Sequence, residues 1–283
     1  MKQRTEQTAI TAVSWGNTAV KADQLVIEEP LEIVLSFCRD GAAVRESIAI
    51  TMRTPGDDFE LVRGFLYAEG IIREQAEILA LTYQGNQALR EGTSNVVLVS
   101  LAPEVNVNIE RLKRHFYTSS ACGVCGKASL EALEFSGASP VLNDNFSIYE
   151  SKMLLLPGDA RKRQGLFIET GGAHAAAAFD GDGNIRCLRE DIGRHNAVDK
   201  LIGTLTQDTA LNIAEMGLFV SGRASFELLQ KAAMAGFPLF AAVGAPSSLA
   251  VELAREFEIT LAGFVQKNRF NIYNRPDRIQ LLL

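Results

Sequence analysis

The feature that most constrains this chain is the alternation in its carboxy-terminal half. Apolar runs at residues 217–221, 238–243 and 260–265 are separated by helix-length amphipathic segments at 224–235 and 247–257. Strands spaced by helices of about 10–15 residues need crossover connections, which are right-handed and build a layered α/β sheet. Upstream, residues 173–179 and 184–189 flank Asp180-Gly181-Asp182-Gly183 as a hairpin, and a helix follows over about 196–206. In such a sheet, ligands gather at the carboxyl ends of the strands, where loops and helix amino termini meet.

The amino-terminal third is patterned differently. Residues 25–37 and 44–53 read as strands joined by Arg39-Asp40-Gly41, and residues 79–84 and 95–101 as a second strand pair. Between them residues 57–67 have helical period, with Phe59, Val62, Phe65 and Leu66 on one face and Gly70 beyond the end. A short basic helix is expected over 109–116, and residues 137–149 show no clean period. The expected fold class is α/β, or α+β taken as a whole. It comprises a β-rich domain over 1–120, a mobile loop and linker over 121–149, and a layered α/β domain over 150–283.

At 283 residues and 47% hydrophobic content the chain can bury one large core or two moderate ones. A net charge of −6 excludes a nucleic-acid binder that relies on broad positive potential. The first residues are polar, and no apolar run approaches the roughly 20 residues that span a bilayer. The expectation is a soluble cytoplasmic protein with no membrane or nucleic-acid partner.

Chemistry is concentrated at Cys122-Gly123-Val124-Cys125-Gly126, which holds two of the four cysteines. A C-x-x-C pair can hold a metal, cycle as a disulfide, or carry sulfur on one thiolate. The thiolate is the reactive form, and Lys113, Arg114, His115 and Lys127 can supply the charge that stabilises it. Structural zinc would call for a second Cys/His pair, which is absent. Cys38 and Cys187 stand alone in apolar strands and read as inert, buried cysteines.

Further candidates lie downstream. His174 follows two glycines at the start of a small-residue strand, and His195 sits in a polar strand-to-helix junction where Asp191 and Asn196 can equally act as caps. Ser221-Gly222-Arg223 and Gly244-Ala245-Pro246-Ser247 are successive strand-to-helix turns of the kind that cradles phosphate. The segment Phe264-Val265-Gln266-Lys267-Asn268-Arg269 ends a strand with two cations and an aromatic.

Taken together and in order, several segments resemble the FdhD/NarQ family of formate dehydrogenase accessory sulfurtransferases. They are the C-x-x-C loop, residues 170–176, residues 190–200, residues 221–225 and residues 63–72. The resemblance implies a cytidine-deaminase-like layered fold, a homodimer, and sulfur taken from a cysteine desulfurase as a persulfide on Cys122 or Cys125. It further implies delivery of that sulfur to the molybdenum of bis(molybdopterin guanine dinucleotide) before insertion into formate dehydrogenase. The segment matching Phe264 to Arg269 is implied to bind the cofactor, and GDP-like nucleotides the same site. Relatives usually carry a glycine-bearing turn there; Lys267-Asn268-Arg269 departs from it while keeping both cations.

Three other readings compete. A zinc deaminase needs H-x-E upstream of P-C-x-x-C, whereas Cys122 precedes both His174 and His195 and no proline abuts it. A thioredoxin-like oxidoreductase needs a strand immediately before the pair and a βαβ frame around it, and neither is present. A cofactor chaperone with purely protective cysteines remains open at the level of sequence.

Overall fold

The computed structural model describes residues 3–39, 41–84, 94–107, 140–141 and 145–281. The basic segment 109–116, the C-x-x-C loop and most of the expected linker lie outside the described residues.

Strands β1 (Thr5–Ser14) and β2 (Asn17–Val26) form a separate antiparallel ribbon. Then β3 (Glu29–Arg39), β4 (Ala42–Arg53), β5 (Ile78–Tyr83) and β6 (Val96–Leu101) make a four-stranded sheet in the order β4-β3-β6-β5. In β3 the alternation Leu31, Ile33, Leu35, Phe37 faces the core, the period-2 signature of a strand buried on one side. The expected strand over 25–37 is thus two elements, and Cys38, expected buried, is exposed where β3 runs out beyond the core, while Cys187 is only half-buried. Ile27 N–H still continues the ribbon by donating to Arg4 O, whereas Glu29 already pairs with Arg53 in the next sheet.

Helix α1 (Asp58–Ala68) covers that sheet with Leu61, Val62 and Leu66. Beyond it come β7 (Ile148–Tyr149) and three short helices, α2 (Glu150–Met153), α3 (Leu156–Arg163) and α4 (Gly165–Thr170). The layered half contains β8 (His174–Phe179), β9 (Ile185–Asp191), α5 (Arg194–Leu205), β10 (Gly217–Val220), α6 (Phe226–Ala235), β11 (Leu239–Ala242), α7 (Ser248–Glu256), β12 (Thr260–Gln266) and β13 (Arg269–Asn274). Strand β14 (Ile279–Gln280) pairs in parallel with β7.

The six-stranded sheet runs β13-β12-β11-β10-β8-β9, with β10, β11 and β12 parallel and joined through α6 and α7. Helices α5, α6 and α7 pack on one face against Ala176, Ala178, Leu218, Val220 and Phe240. Met153, Leu156 and Ala160 from α2 and α3 pack on the other, against Phe179, Phe219 and Leu239. The β-rich amino-terminal part and the layered α/β carboxy-terminal part are both present, as the sequence pattern requires. Among the described residues no helix is long and apolar enough to cross a membrane.

The two parts meet where α1 crosses α5. A Cβ on Gly64 would stand 1.8 Å from Asp199 O, and one on Gly203 would stand 1.9 Å from Glu60 O. Backbone therefore touches backbone, and neither position has room for a methyl group. Gly64→Ala or Gly203→Ala is expected to destabilise the fold by on the order of 3 kcal/mol, because overpacking a rigid contact forces the backbones apart. The urea midpoint of either variant checks this; an unchanged midpoint would show that the helices yield freely.

Candidate functional site

Strand β8 runs antiparallel to its neighbour β10, so its first residue lies at the same sheet edge as the carboxyl ends of β9 to β12. That edge collects His174, the Gly193-Arg194-His195 junction, the Ser221-Gly222-Arg223 turn and the Gly244-Ala245-Pro246 turn. The turns are laced together: Ser221 Oγ accepts from Ala175 N at 2.9 Å, Gly244 N donates to Gly222 O at 2.9 Å, and Phe264 N donates to Gly244 O at 3.1 Å. Gly222 lies against His174, its missing Cβ placed 3.7 Å from Nδ1. The amino termini of α5, α6 and α7 open on the same edge, the last capped by Ser247 Oγ accepting from Ala250 N. Oriented amides of this kind favour an anionic ligand.

The segment after Gly263 is a hairpin rather than a strand end. Gln266 pairs with Arg269 across a Lys267-Asn268 turn, and both cations are exposed. Val265 is wholly buried with Leu239 and Ala262, so it supplies packing and no ligand surface. Phe264 holds φ at +54° within a register shift, an unusual conformation for an aromatic residue. Arg223, also exposed, completes the cationic rim.

The 190–200 segment does less chemistry and more clamping than its polarity implies. Asp191 and Lys200 form an ion pair at 2.8 Å with no exposure of either side chain. Asp191 Oδ2 also accepts from Thr54 N at 3.1 Å, and Oδ1 accepts from Gly193 N at 2.8 Å and from Asn196 Nδ2 at 3.3 Å. Asn196 reaches β4 as well, donating to Met52 O at 2.7 Å and accepting from Thr51 Oγ1 at 2.9 Å. Lys200 Nζ donates to Thr54 O at 2.9 Å. Asn196 is therefore a tie between the two parts, not a cap.

What remains for ligand at this junction is Arg194 and the two histidines. Burial lowers the His195 pKa to about 4, helped by the charges of Arg194 and Lys231 and opposed by Glu227. Its Nε2 is buried with no hydrogen-bond partner among the described residues. His174 is lowered by burial and then by Arg194, with Asp191 opposing. Both imidazoles are neutral at pH 7, so positive charge at this edge comes from arginine and lysine. Arg194 and Glu227 also set the charge around His195; Arg194 lies within the 190–200 segment, and Glu227 carries no local sequence signal. Cys122 and Cys125 lie outside the described residues.

A family model for the FdhD/NarQ family matches residues 26–280. The chain belongs to the FdhD/NarQ family. Relatives of this FdhD/NarQ chain include proteins named "Sulfur carrier protein FdhD" from three sources. The one from Streptomyces coelicolor is 46% identical over 99% of this chain and 98% of its own length. That from Mycobacterium tuberculosis is 43% identical over 99% and 100%, and that from Picrophilus torridus 42% over 91% and 92%. The fold matches the crystal structure of a protein described as a formate dehydrogenase accessory protein from Desulfotalea psychrophila. The TM-score is 0.75 at 23% identity, over 98% of this chain and all of that one.

Two buried groups of this FdhD/NarQ chain oppose each other in acid. His195, at about 4 when folded and about 6.5 when unfolded, lets the unfolded state take the proton first; it removes stability as pH falls from about 6.5 to about 4. Burial pushes Asp199 up to about 6, against the lowering charge of Lys231. Its unfolded value is about 3.9, so the native state takes the proton first and stability is gained as pH falls from about 6 to about 4. Relative to wild type, His195→Gln should gain stability on acidification across this window and Asp199→Asn should lose it. Urea midpoints measured through the window check both signs, and parallel profiles for all three proteins would refute them.

Proposed function

We propose that this chain is a sulfur carrier that serves a molybdenum cofactor. The observation that carries the reading is the near full-length match, at 42–46% identity, to relatives named as sulfur carriers. The sheet edge supports it, because three helix amino termini and a rim of Arg223, Lys267 and Arg269 suit a ligand that bears a pyrophosphate.

In this proposal Cys122 is the carrier. Its thiolate attacks the terminal sulfur of a persulfide on a cysteine desulfurase; the donor cysteine leaves as a thiolate, and no net oxidation occurs. Cys125, three residues on, can share or relay the sulfur. The acceptor is the bis(molybdopterin guanine dinucleotide) cofactor, bound as substrate before insertion into formate dehydrogenase, and the working unit is a homodimer. Exposed Gln266, Lys267, Asn268 and Arg269 meet the nucleotide portion from one side, with Phe264 beside them. The Ser221-Gly222-Arg223 turn, His174 and His195 meet it from the other. Neutral histidines fit this role, because they offer hydrogen bonds without adding buried charge that would have to be compensated when the site is empty.

Cys122→Ser should remain folded, take no sulfur adduct on incubation with desulfurase and cysteine, and fail to activate formate dehydrogenase. Mass spectrometry of the C-x-x-C peptide and an activation assay read the two effects. Full activation by this variant would reject Cys122 as the carrier, and full activation by Cys122→Ser/Cys125→Ser would leave a chaperone with incidental cysteines.

Nucleotide binding has its own test. Contacts to a charged group contribute about 1.5–3 kcal/mol, and at an exposed rim the lower end applies, so Lys267→Ala or Arg269→Ala should weaken GDP binding about tenfold. Calorimetric titration measures it; equal affinity in both variants would mean that these cations only solubilise the hairpin turn.

A further inference from the structure

Strand β13 is an outer edge of the six-stranded sheet and begins at the hairpin turn that carries Lys267 and Arg269. Its side chains divide between two faces. Phe270 and Ile272 turn to the face packed with Val265, whereas Tyr273 packs on the opposite face, against the cluster under α5, α6 and α7. Asn271 stands between Phe270 and Ile272 and so shares the Tyr273 face, as does Arg269 about 7 Å back along the strand. One face of an edge strand thus presents a cation, an amide and a phenol in succession, leading away from the cationic rim.

Two irregularities frame that face. Gly263 of β12 and Asn271 stand opposite each other, and the pairing slips on either side of them. On one side β13 carries the extra residue, Tyr273, since Leu261 pairs with Asn274 but Ala262 with Ile272. On the other side β12 carries it, where Phe264 holds φ at +54°. Bulges re-aim side chains and gather beside binding sites. A Cβ on Gly263 would stand 2.9 Å from Pro246 Cδ and 3.1 Å from Tyr273 Cε2. Glycine at this position therefore lets the Tyr273 ring lie across β12, against the turn that starts α7.

Core packing accounts for one edge of that ring and for nothing else about it. Tyr273 is half-buried, and its Oη accepts from Nδ2 of the exposed Asn271 at 3.5 Å, the long limit of such a bond. Asn271 Oδ1 accepts no hydrogen bond among the described residues. The pair suits the recognition of a base. An aromatic face supports any purine ring by stacking. An amide oxygen is an acceptor only, and guanine offers it two donors, N1–H and the 2-amino group. Adenine held in the same place offers N1 as a second acceptor, which repels it. Tyr273 Oη, already accepting from Asn271, keeps its own proton for the guanine carbonyl oxygen.

We propose that Tyr273 and Asn271 form the base subsite of the sheet-edge site, with Tyr273 supporting a purine and Asn271 Oδ1 selecting guanine over adenine. The diphosphate lies on Lys267 and Arg269, and the nucleoside runs along β13 from there. The proposal rests on the reading of this edge as a nucleotide site and deepens it by naming the groups that read the base.

Calorimetric titration of the full chain with GDP, ADP and inorganic pyrophosphate tests it. Wild type should bind GDP at least about tenfold more tightly than ADP, because a site built around a hydrogen bond rejects the analogue that cannot make it. Asn271→Ala should cost GDP about tenfold and ADP little, bringing the two within about threefold. Tyr273→Leu keeps apolar bulk without an aromatic face; it should weaken both nucleotides about tenfold and leave pyrophosphate unchanged. If Tyr273→Leu melts early, Tyr273→Phe replaces it, and should weaken GDP about threefold while sparing ADP. Equal affinity of wild type for GDP and ADP would overturn the proposal. So would GDP binding indifferent to Asn271→Ala, or a Tyr273 variant that weakens pyrophosphate as much as GDP, since the tyrosine would then only shape the fold. If Arg269→Ala weakens GDP binding while these variants do not, the nucleotide site stands and its base subsite falls. If neither GDP nor pyrophosphate binds wild type, both readings fall together.

Discussion

The geometry of the sheet edge depends on one buried carboxylate. Asp191 gathers Lys200, Thr54 N, Gly193 N and Asn196 around its two oxygens. Those partners come from Thr54 just past β4, from the chain turning out of β9, and from two turns of α5. A carboxylate this deep is tolerable only because every lone pair has a donor, and removing Lys200 would leave it uncompensated at a cost of about 3–5 kcal/mol. The same contacts fix where α5 begins, and with it the positions of Arg194 and His195. The clamp beneath the site and the site itself are consecutive residues of one segment, so neither can shift alone.

A second buried cluster sets the field above that clamp. Lys231 of α6 pairs with Asp199 of α5 at 2.8 Å and with Glu69, just past α1, at 3.2 Å. Burial alone would lower the Lys231 pKa, but the two carboxylates outweigh it and raise it. A permanent ammonium therefore stands near His195 and helps to keep that imidazole neutral. The cationic side chains of Arg223, Lys267 and Arg269 are by contrast outside, where water solvates them. The edge thus combines a neutral hydrogen-bonding floor with a charged rim.

How much of this was legible follows from how each element is stabilised. Helices α6 and α7 and the strands between them announce themselves, because their apolar period is set by a core that every one of them faces. The β1–β2 ribbon does not: neither face is deeply buried, so no alternation survives, and Trp15 stands where such a turn usually carries Asn, Asp or Gly. Helices α2 to α4 are each four to eight residues long, too short to show a period. At the site, the sequence located the turns but not the division of labour. Asp191 and Asn196 have the composition of caps, and only contacts with Thr54 and Met52, over 130 residues away in sequence, reveal them as ties. Val265 packs with Ala262, three residues away, because the register shift around Phe264 breaks the strand alternation, and no local residue signal marks that shift.

Arg278, at the far end of the fold, is wholly buried. Its guanidinium donates to Pro238 O ahead of β11, to Glu258 O ahead of β12, and to Val141 O, which precedes the whole layered half. All three acceptors leave the ribosome before the donor does. At roughly 5–20 residues per second, Val141 O waits on the order of ten seconds for its partner and Glu258 O a few seconds at most. The carbonyls ahead of β11 and β12, at the end of these strands opposite the edge that holds His174, lack this donor until Arg278 arrives. The last fastening of this sheet to leave the ribosome is thus a residue that takes no part in any strand it secures.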